Sequence, residues 1–480
     1  MMTGAQYEES LRSKKFKVYM MGEEVTNTVD NPIFRPSMNA VKKSYELAQE
    51  AQHQGLLTAT SHLSGAKINR FCHIHQDTDD LIKKVKMLRL MGRQTGTCFQ
   101  RCAGLDTLNA LYALTYEMDQ KLGTPYHQRF VKWFRQFQLD DEVVAACMTD
   151  PKGDRSKTPA NQPDPDLFMR IVERRPDGIV VCGAKCHITG ALNSHWAIVV
   201  PTMAMRPEDK DYTVGFITPS DAEGIVYVYG RQSCDTRKLE PGADIDLGNR
   251  EFGGMEALMI FDHVFVPWEN VIMCGETEFA GPLVERFAGY HRVSYGGCKV
   301  GVGDVLIGAA ALAAEYNGTE KASHIKEKLI EMTHLNETLY SCGIAASAEG
   351  YQSACGSYMV DLLIGNVCKL NVTRFPYELA RLAEDIAGGL MVTLPSEHDF
   401  RHPVAGEYMR KYLRTAVSAE KRMRVLRLIE SMTLGCIAVG YRTESMHGAG
   451  SPQAQRVVIA RQGNVEGKKA LAKALAHIKD

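Results

Sequence analysis

The sequence has almost no excess of charge of either sign. Its 480 residues include 56 Lys and Arg and 57 Asp and Glu, so the formal net charge is -1. Proteins that attract nucleic acid or anionic membranes through a long-range field carry a marked basic excess. We therefore predict that the partners are small molecules and further copies of the chain, and neither nucleic acid nor a membrane.

Long hydrophobic runs are also missing. The longest, at residues 305–314, is about half of what a bilayer-spanning helix requires. The N-terminal segment mixes acids and bases and lacks the apolar core of a secretory signal. We therefore predict a cytoplasmic protein whose 13 cysteines are reduced, either packed in the core or bound to metal, rather than paired in disulfides.

Motifs that bind phosphate through a glycine-rich loop are absent. No GxxxxGK[ST] sequence occurs, and Gly301-Val-Gly303 lacks the third glycine and the preceding strand of a dinucleotide fingerprint. The segment 148–155, MTDPKGDR, instead combines turn residues, free amides and two cations. These groups suit a pyrophosphate, although an exposed turn has the same composition.

The periodicity of apolar residues divides the chain into three regions. Helical spacing begins after Asp77, a candidate N-cap, breaks at residues 95–97 and stops at Gly123. Short β-branched runs separated by Pro, Gly and Asp follow, and helical spacing returns after Gly275. We predict an α+β fold with an N-terminal helical domain at 1–142, a middle β-domain at 143–275 and a C-terminal helical domain at 276–480.

Four residues are candidate metal ligands. Cys98 and Cys102 are four apart, which on a helix places both sulfurs on one face, and His291 and Cys298 flank a glycine pair that allows the backbone to bend. Three thiolates and one imidazole suit zinc or an iron-sulfur cluster equally. The alternative is that both cysteines pack a helix and that His291 is a hydrogen-bonded core residue.

A second group of ligand types, Cys182, Cys186 and His187, lies in a β-run. Residues 182 and 186 would be roughly 13 Å apart along a strand, too far for one metal ion, so we predict structural roles. Two carboxylates, Glu256 and Glu444, lie among glycines and apolar residues. Such surroundings raise a carboxyl pKa toward the range of proton transfer, although buried ion pairs are as common.

Five segments of the chain carry a resemblance to a known family. They are MTDPKGDR, GRQSCDTRKLE, ERFAGYHRVSYGGCKVGVGDV, RFPYELARLAEDIAGGLMVTLPSE and GYRTESMHGAGSPQAQR. These segments resemble the 4-hydroxybutyryl-CoA dehydratase family, whose superfamily includes the flavin-dependent 4-hydroxyphenylacetate hydroxylases. The resemblance covers nearly the whole chain and implies an acyl-CoA dehydrogenase-like fold, in which a β-barrel lies between the helical domains. It implies FAD and a [4Fe-4S] cluster held by Cys98, Cys102, Cys298 and His291, all of which are present.

The resemblance also implies where FAD binds. In this fold the flavin commonly lies near a subunit boundary, so a homotetramer is implied as well. The implied FAD contacts are Met148, Thr149, Pro151, Lys152, Arg155, His187, Thr189, Asn317, Glu384 and Gly388.

The implied reaction is radical dehydration of 4-hydroxybutyryl-CoA to crotonyl-CoA, with isomerisation of vinylacetyl-CoA to crotonyl-CoA. The C3 hydrogen is not acidic in the substrate, so the family requires one-electron transfer to FAD. His291 is implied as the base at C2 and Glu444 as the group that assists the second proton transfer. Glu256 and Tyr295 would orient the hydroxyl. The candidate substrate-binding residues are Arg89, for a coenzyme A phosphate, and Lys299, which lies beside Cys298 and also tunes the cluster charge.

Two alternatives remain. A flavin-dependent aromatic hydroxylase would need no cluster, and a zinc-stabilised scaffold would need neither iron nor flavin. Iron and flavin content separates all three.

Overall fold

The computed structural model describes residues 1–478, so the last two residues of the predicted third domain lie outside the described part. Helices dominate up to residue 140, strands up to 274, and helices again from 277. This order confirms the predicted mixture of helices and sheet. The N-terminal elements are α1 (Gly4–Arg12), β1 (Lys17–Met20), β2 (Glu23–Val25), α2 (Arg35–Gln49), α3 (Gln54–Leu57), β3 (Thr58–Thr60), β4 (Lys67–Asn69), α4 (Thr78–Thr95), α5 (Cys102–Leu122) and α6 (Tyr126–Asp140).

Helix α4 begins and ends where the sequence predicts. The Asp77 carboxylate accepts a hydrogen bond from the backbone N–H of Asp80 at 2.7 Å, which satisfies one of the free donors of the first turn. Gly96 ends α4 with φ +61°, a conformation that favours glycine. Gly123 ends α5 in the same way with φ +69°.

The middle region forms two sheets. One has the strand order β2-β1-β10-β11-β7-β6 and the other β12-β9-β8-β5, and an apolar core that includes Val181, Phe216 and Phe261 fills the space between them. These pairings, found within residues 1–478, do not show the closed barrel that the resemblance implies. The strands are β5 (Val144–Cys147), β6 (Arg170–Arg174), β7 (Gly178–Thr189), β8 (Trp196–Val199), β9 (Val214–Pro219), β10 (Ile225–Tyr229), β11 (Glu256–Pro267) and β12 (Val271–Cys274).

The N-terminal segment takes part in the middle sheet. Strand β1 pairs in parallel with β10, with Lys17 opposite Val226, and β2 pairs antiparallel with β1. Residues 17–25 therefore belong structurally with the β region, although they precede the boundary at 142 predicted from composition.

The C-terminal region is mainly helical. Helix α7 is long and apolar enough to cross a membrane by length and composition alone, but 67% of its most apolar window is buried, as expected of a core helix. The elements are α7 (Thr277–Tyr316), α8 (Ser323–Ala348), β13 (Tyr351–Gln352), β14 (Tyr358–Met359), α9 (Leu362–Val372), α10 (Phe375–Ala387), α11 (Glu397–Arg401), α12 (Pro403–Tyr412), α13 (Ala419–Thr433), α14 (Cys436–Ala438), the π-helical turn Val439–Thr443, α15 (Glu444–His447), α16 (Pro452–Gln462) and α17 (Val465–Leu475).

Glycines allow α4 and α7 to pack unusually closely. A methyl group at Gly297 would overlap the backbone oxygen of Val85, and one at Gly92 would lie 2.7 Å from the backbone oxygen of Cys298. The expectation that the pair Gly296–Gly297 bends the backbone is wrong, because both residues lie inside the continuous helix α7. Their function is to let neighbouring helix backbones approach.

Candidate active site

The two N-terminal cysteines do not share a helix. Cys98 lies in the connection between α4 and α5, and Cys102 is the first residue of α5, so the predicted helical placement of the pair is wrong. The connection turns at Gln100, whose φ is +65°. Its side-chain amide donates to the Ser37 backbone oxygen at 3.0 Å and accepts from Asn193 at 2.7 Å, which fixes the loop.

The three predicted cysteine ligands nevertheless line one pocket. Cys98, Cys102 and Cys298 share it with Lys299 and Tyr441. A hydrogen bond with Cys298, followed by burial, raises the pKa of the Cys102 thiol well above its usual range. Adjacent buried thiols are costly to ionise without a compensating cation, and metal ligation provides one.

His291 lies on the same face of α7 as Cys298, two turns earlier. Its Nδ1 is 2.8 Å from an oxygen of the Asp106 carboxylate, which also accepts from Ser294 at 2.8 Å. The ring stacks on Phe287, with centroids 5.4 Å apart. The engaged Nδ1 leaves Nε2 as the nitrogen available to a metal or a substrate, an arrangement common among metal-binding histidines.

Glu256 and Glu444 form a carboxyl pair beside the cysteines. Desolvation and the neighbouring Glu444 charge raise the pKa of Glu256 well above its usual range. Desolvation acts in the same direction on Glu444, but the Lys299 ammonium at 2.9 Å and the hydrogen bond with Glu256 together outweigh it and lower the pKa of Glu444. The two environments therefore push the pKa values of the pair apart, and the Thr189 hydroxyl donates to Glu256 at 2.7 Å.

Tyr295 lies between His291 and the lysines of the site. Its ring centroid is 4.9 Å from that of His291, and the ammonium groups of Lys299 and Lys369 each lie 5.1 Å from it. Burial and the Glu444 charge raise the pKa of the Tyr295 hydroxyl well above 10, so this group stays a hydrogen-bond donor. The Lys369 ammonium also donates to the backbone oxygen of Ser445 in α15, the helix that begins with Glu444.

The predicted flavin loop follows β5 directly. Lys152 and Gly153 have φ of +75° and +44°, so the backbone turns sharply there. The buried Lys185 ammonium fixes the loop through Asp150 and the Met148 backbone oxygen, both at 2.9 Å. The Thr149 backbone oxygen accepts from the Cys186 backbone N–H at 2.7 Å, and Pro151 precedes the turn.

The loop presents positive charge without partners. Neither Lys152 nor Arg155 forms an ion pair within residues 1–478, and burial, followed by the charge of Arg155, lowers the pKa of Lys152. His187, on β7, feels the charges of both Lys152 and Glu444. The loop, the end of β7 and the carboxyl pair are therefore neighbours, and these residues fit an anionic, phosphate-bearing ligand.

The remaining predicted flavin contacts lie elsewhere. Asn317 follows the last residue of α7, nineteen positions and about 28 Å along the helix from Cys298. Its buried side-chain oxygen lacks a hydrogen-bond partner among the described residues. Glu384 and Gly388 lie at the end of α10, where Gly388 has φ +80°. Within residues 1–478, no hydrogen bond or ion pair joins these three residues to the loop at 148–155.

The two predicted substrate-binding cations are both engaged. The Arg89 guanidinium is held by Asp304, at 2.9 and 3.0 Å, and by Glu337, and would have to release these carboxylates to bind a phosphate. Lys299 contacts Glu444 and the Gly440 backbone oxygen. Burial opposes the charge of Lys299, but Glu444 and the sulfurs of Cys298 and Cys98 outweigh burial and raise its pKa.

A different group of ligand atoms occurs on the surface of the β region. Atoms of Cys182, Asp262 and His263 lie within 4.8 Å of one another, and the latter two residues are exposed. Cys186 and His187 are not part of this group. The arrangement has no connection with the pocket of the three cysteines.

Sequence reasoning missed Asp106 and Lys84. Both side chains are fully buried, and the Lys84 ammonium is 2.6 Å from Asp106. The available signal was the single charged residue in the mainly apolar segment LDTLNALYAL, four positions after Cys102. A lone aspartate among leucines and alanines predicts a buried partner.

Comparison with known proteins identifies the family. The family described as "4-hydroxyphenylacetate 3-hydroxylase N terminal" matches residues 3–273, and its "C terminal" counterpart matches 280–477. The chain belongs to this family of 4-hydroxyphenylacetate 3-hydroxylase-like proteins, and it is an enzyme.

Within this family the chain is most informatively compared with two dehydratases. It is 62% identical, over the full length of both chains, to the 4-hydroxybutyryl-CoA dehydratase/vinylacetyl-CoA-Delta-isomerase of Clostridium aminobutyricum. It is also similar to the structure of an oxygen-tolerant archaeal 4-hydroxybutyryl-CoA dehydratase from N. maritimus, with a TM-score of 0.97 and 56% identity, covering 100% of this chain and 95% of that one.

The fold is shared more widely. The oxygenase component of 4-hydroxyphenylacetate 3-monooxygenase, complexed with FAD, matches with a TM-score of 0.87 at 23% identity, covering 99% of this chain and 98% of that chain. This likeness shows the fold alone. The resemblance to the dehydratase family predicted from the sequence is confirmed, and with it a lyase with isomerase activity.

Proposed function

We propose that this enzyme dehydrates 4-hydroxybutyryl-CoA to crotonyl-CoA and isomerises vinylacetyl-CoA to crotonyl-CoA, with FAD and a [4Fe-4S] cluster as cofactors. The observation that carries the proposal is the pocket lined by three thiols, which lies next to the carboxyl pair of Glu256 and Glu444. The similarity to the Clostridium enzyme supports the substrate. An aromatic hydroxylase has no use for such a thiol pocket.

Cys98, Cys102, Cys298 and His291 would hold the cluster. His291 and Cys298 are two helical turns apart, about 10 Å along α7, a spacing that suits a group several ångströms wide better than a single ion. When bound, the cluster supplies a Lewis acid for the substrate hydroxyl, and FAD supplies one-electron chemistry. The loop at 148–155, His187 and Thr189 would hold the flavin.

The protein's own side chains handle the protons. Nε2 of His291 has one lone pair, because Nδ1 is engaged by Asp106. His291 would therefore serve first as a ligand and, once released from the metal, as the base for the C2 proton. Ionised Glu444 accepts a proton and Glu256 donates one, because the two environments push their pKa values apart. Tyr295 donates a hydrogen bond to the hydroxyl that leaves as water.

We also propose an acyl-CoA dehydrogenase-like fold with a middle β-barrel and with domains at 1–142, 143–275 and 276–480.

We further propose that the enzyme is a cytoplasmic homotetramer. Exposed apolar side chains on the C-terminal helix α17 support association. Leu471 is 67% exposed and Leu475 is 85% exposed, which is typical of a surface covered in an assembly. A flavin shared between copies would allow Asn317, Glu384 and Gly388 of one copy to contact the flavin held by the loop of another. Arg89 and Lys299 remain the proposed substrate-binding cations.

Anaerobic purification tests the proposal. We expect four irons, four sulfides and one FAD per chain, and conversion of both thioesters to crotonyl-CoA. Zinc without iron or flavin would favour the scaffold alternative. Flavin without iron, with oxygen-dependent hydroxylation of a phenol, would favour the hydroxylase alternative.

A variant tests the role of His291. His291→Ala should lose isomerisation as well as dehydration, because both reactions begin with removal of the C2 proton. If this variant keeps cluster and flavin yet isomerises vinylacetyl-CoA at the parent rate, His291 is not the C2 base. Glu444→Gln is the companion variant, and we expect it to impair dehydration more than isomerisation.

A further inference from the structure

We propose that Lys84, Asp106 and His291 form a buried triad that fixes the tautomer and the direction of His291. Asp106 and Lys84 act as positioning residues, because neither reaches beyond the triad to the thiol pocket. This inference rests on the proposed function, which makes His291 a ligand and a base. It adds two residues that sequence patterns alone did not assign.

In the triad, the Asp106 carboxylate lies between the Lys84 ammonium and the His291 imidazole. The Lys84 ammonium lies 2.6 Å from one Asp106 oxygen, and the His291 Nδ1 lies 2.8 Å from the other. Lys84 and Asp106 are both 0% exposed. Lys84 also donates to the Tyr290 backbone oxygen at 2.9 Å, so its ammonium is held from two sides.

The tautomer follows from the charges. A carboxylate paired with a buried ammonium stays ionised and only accepts hydrogen bonds. Nδ1 of His291 therefore carries the hydrogen, and in the neutral ring the lone pair is on Nε2. Ser294 donates to the Asp106 oxygen that His291 contacts, and Phe287 stacks on the His291 ring. Neither the carboxylate nor the imidazole therefore rotates freely.

The triad also aligns two helices. Cys102 and Asp106 lie one turn apart on α5, and Cys298 and His291 lie two turns apart on α7. Cys102 contacts Cys298, and Asp106 contacts His291. Helices α5 and α7 therefore run antiparallel, and these two contacts fix their relative position along the helix axes. A change at Asp106 therefore alters the direction of Nε2 while leaving the cysteine contact in place.

The chain contains a matched control. Arg70, Asp80 and His73 form a second buried cation-carboxylate-imidazole group, with Asp80 at 2.7 Å from each partner. Its further hydrogen bonds run to the backbone of Leu56, Thr58 and Gln76. Asp80→Asn therefore removes the same charge from the same kind of group, whose residues do not line the thiol pocket.

The test measures metal release from the anaerobically purified full-length enzyme, with metal and FAD content and thermal midpoint recorded for each variant. Asp106→Asn should speed release of iron to a chelator by about 10- to 100-fold, the usual effect of losing the partner of a ligating histidine. Asp80→Asn should release iron at the parent rate despite a lowered midpoint. Lys84→Met/Asp106→Asn removes both buried charges together, should fold, and should still release iron fast.

The outcomes separate the two proposals. Fast release in both Asp106 variants with parent-like release in Asp80→Asn supports the triad. Parent-like release in Lys84→Met/Asp106→Asn overturns it while leaving the proposed function intact. Equal acceleration in Asp80→Asn also overturns it, because stability would then control the metal. A parent protein without bound metal overturns the proposed function, and this role of the triad with it.

Discussion

The close approach of α4 and α7 determines where Cys298 lies, and Gly297→Ala tests it. A methyl group at this position would overlap the Val85 backbone oxygen and lie 2.8 Å from Cβ of Leu88. A backbone oxygen has no rotamer with which to move aside, so the two helices must separate. Cys298, the next residue, would move with α7.

The magnitude follows from two opposing effects. Alanine stabilises a helix interior over glycine by about 0.5–1 kcal/mol. Overpacking a well-packed contact costs about 1–3 kcal/mol. We therefore expect a net loss of about 1–2 kcal/mol for Gly297→Ala, together with lower iron content. Gly308→Ala, on the same helix with open space around it, should gain about 0.5–1 kcal/mol.

The assay compares the two variants with the parent in urea denaturation followed by circular dichroism, with iron per chain measured on the same samples. The two alanines differ only in what their methyl groups meet, so helix propensity cancels in the comparison. If Gly297→Ala is stabilised as much as Gly308→Ala and keeps its iron, the tight helix contact does not exist.

Three further predictions concern separate parts of the molecule. Cys298→Ser should lose iron and dehydration but keep FAD, because the thiol pocket and the loop at 148–155 lie on different segments; retention of full activity would refute the ligand assignment. Lys152→Ala should weaken FAD binding about 10- to 100-fold and keep iron, because a charged hydrogen bond contributes about 1.5–3 kcal/mol. For Asp141, burial, opposed by Arg101, raises the carboxyl pKa from 3.8 to about 6. Between pH 3.8 and about 6 the folded state therefore binds more protons at Asp141 than the unfolded state does. The free energy of unfolding that this group contributes at low pH, on the order of 3 kcal/mol, is lost as pH rises through about 6. Asp141→Asn should flatten this dependence in denaturation measured from pH 4 to 7.

Controls keep these predictions separate. Flavin content of Cys298→Ser and iron content of Lys152→Ala are each expected at the parent level, so loss of both cofactors in either variant would indicate misfolding. Asn tolerates the left-handed backbone that residue 141 adopts, with φ +53°, so the substitution adds no strain. An unchanged pH dependence in Asp141→Asn would show that this carboxyl titrates normally.

Local patterns in the sequence determined the elements and their order. The capping aspartate at 77 and the glycines at 96 and 123 act on their own backbone within a few residues, so their effect is visible without the fold. Short β-branched runs identified the β region, and helical periodicity identified the helical regions, for the same reason. The sequence motifs also identified the family, because each motif is a short contiguous segment that can be recognised without the fold.

The tertiary structure alone decided how distant residues act together. Cys98 and Cys298 are 200 positions apart, and the packing of α4 against α7, with its glycine contacts, helps to bring them to one pocket. The raised pKa of Glu256 depends on Glu444, and the direction of His291 depends on Asp106. Periodicity carries no information on such pairs, because electrostatic coupling depends on distance through space and on burial, and both arise when the helices pack.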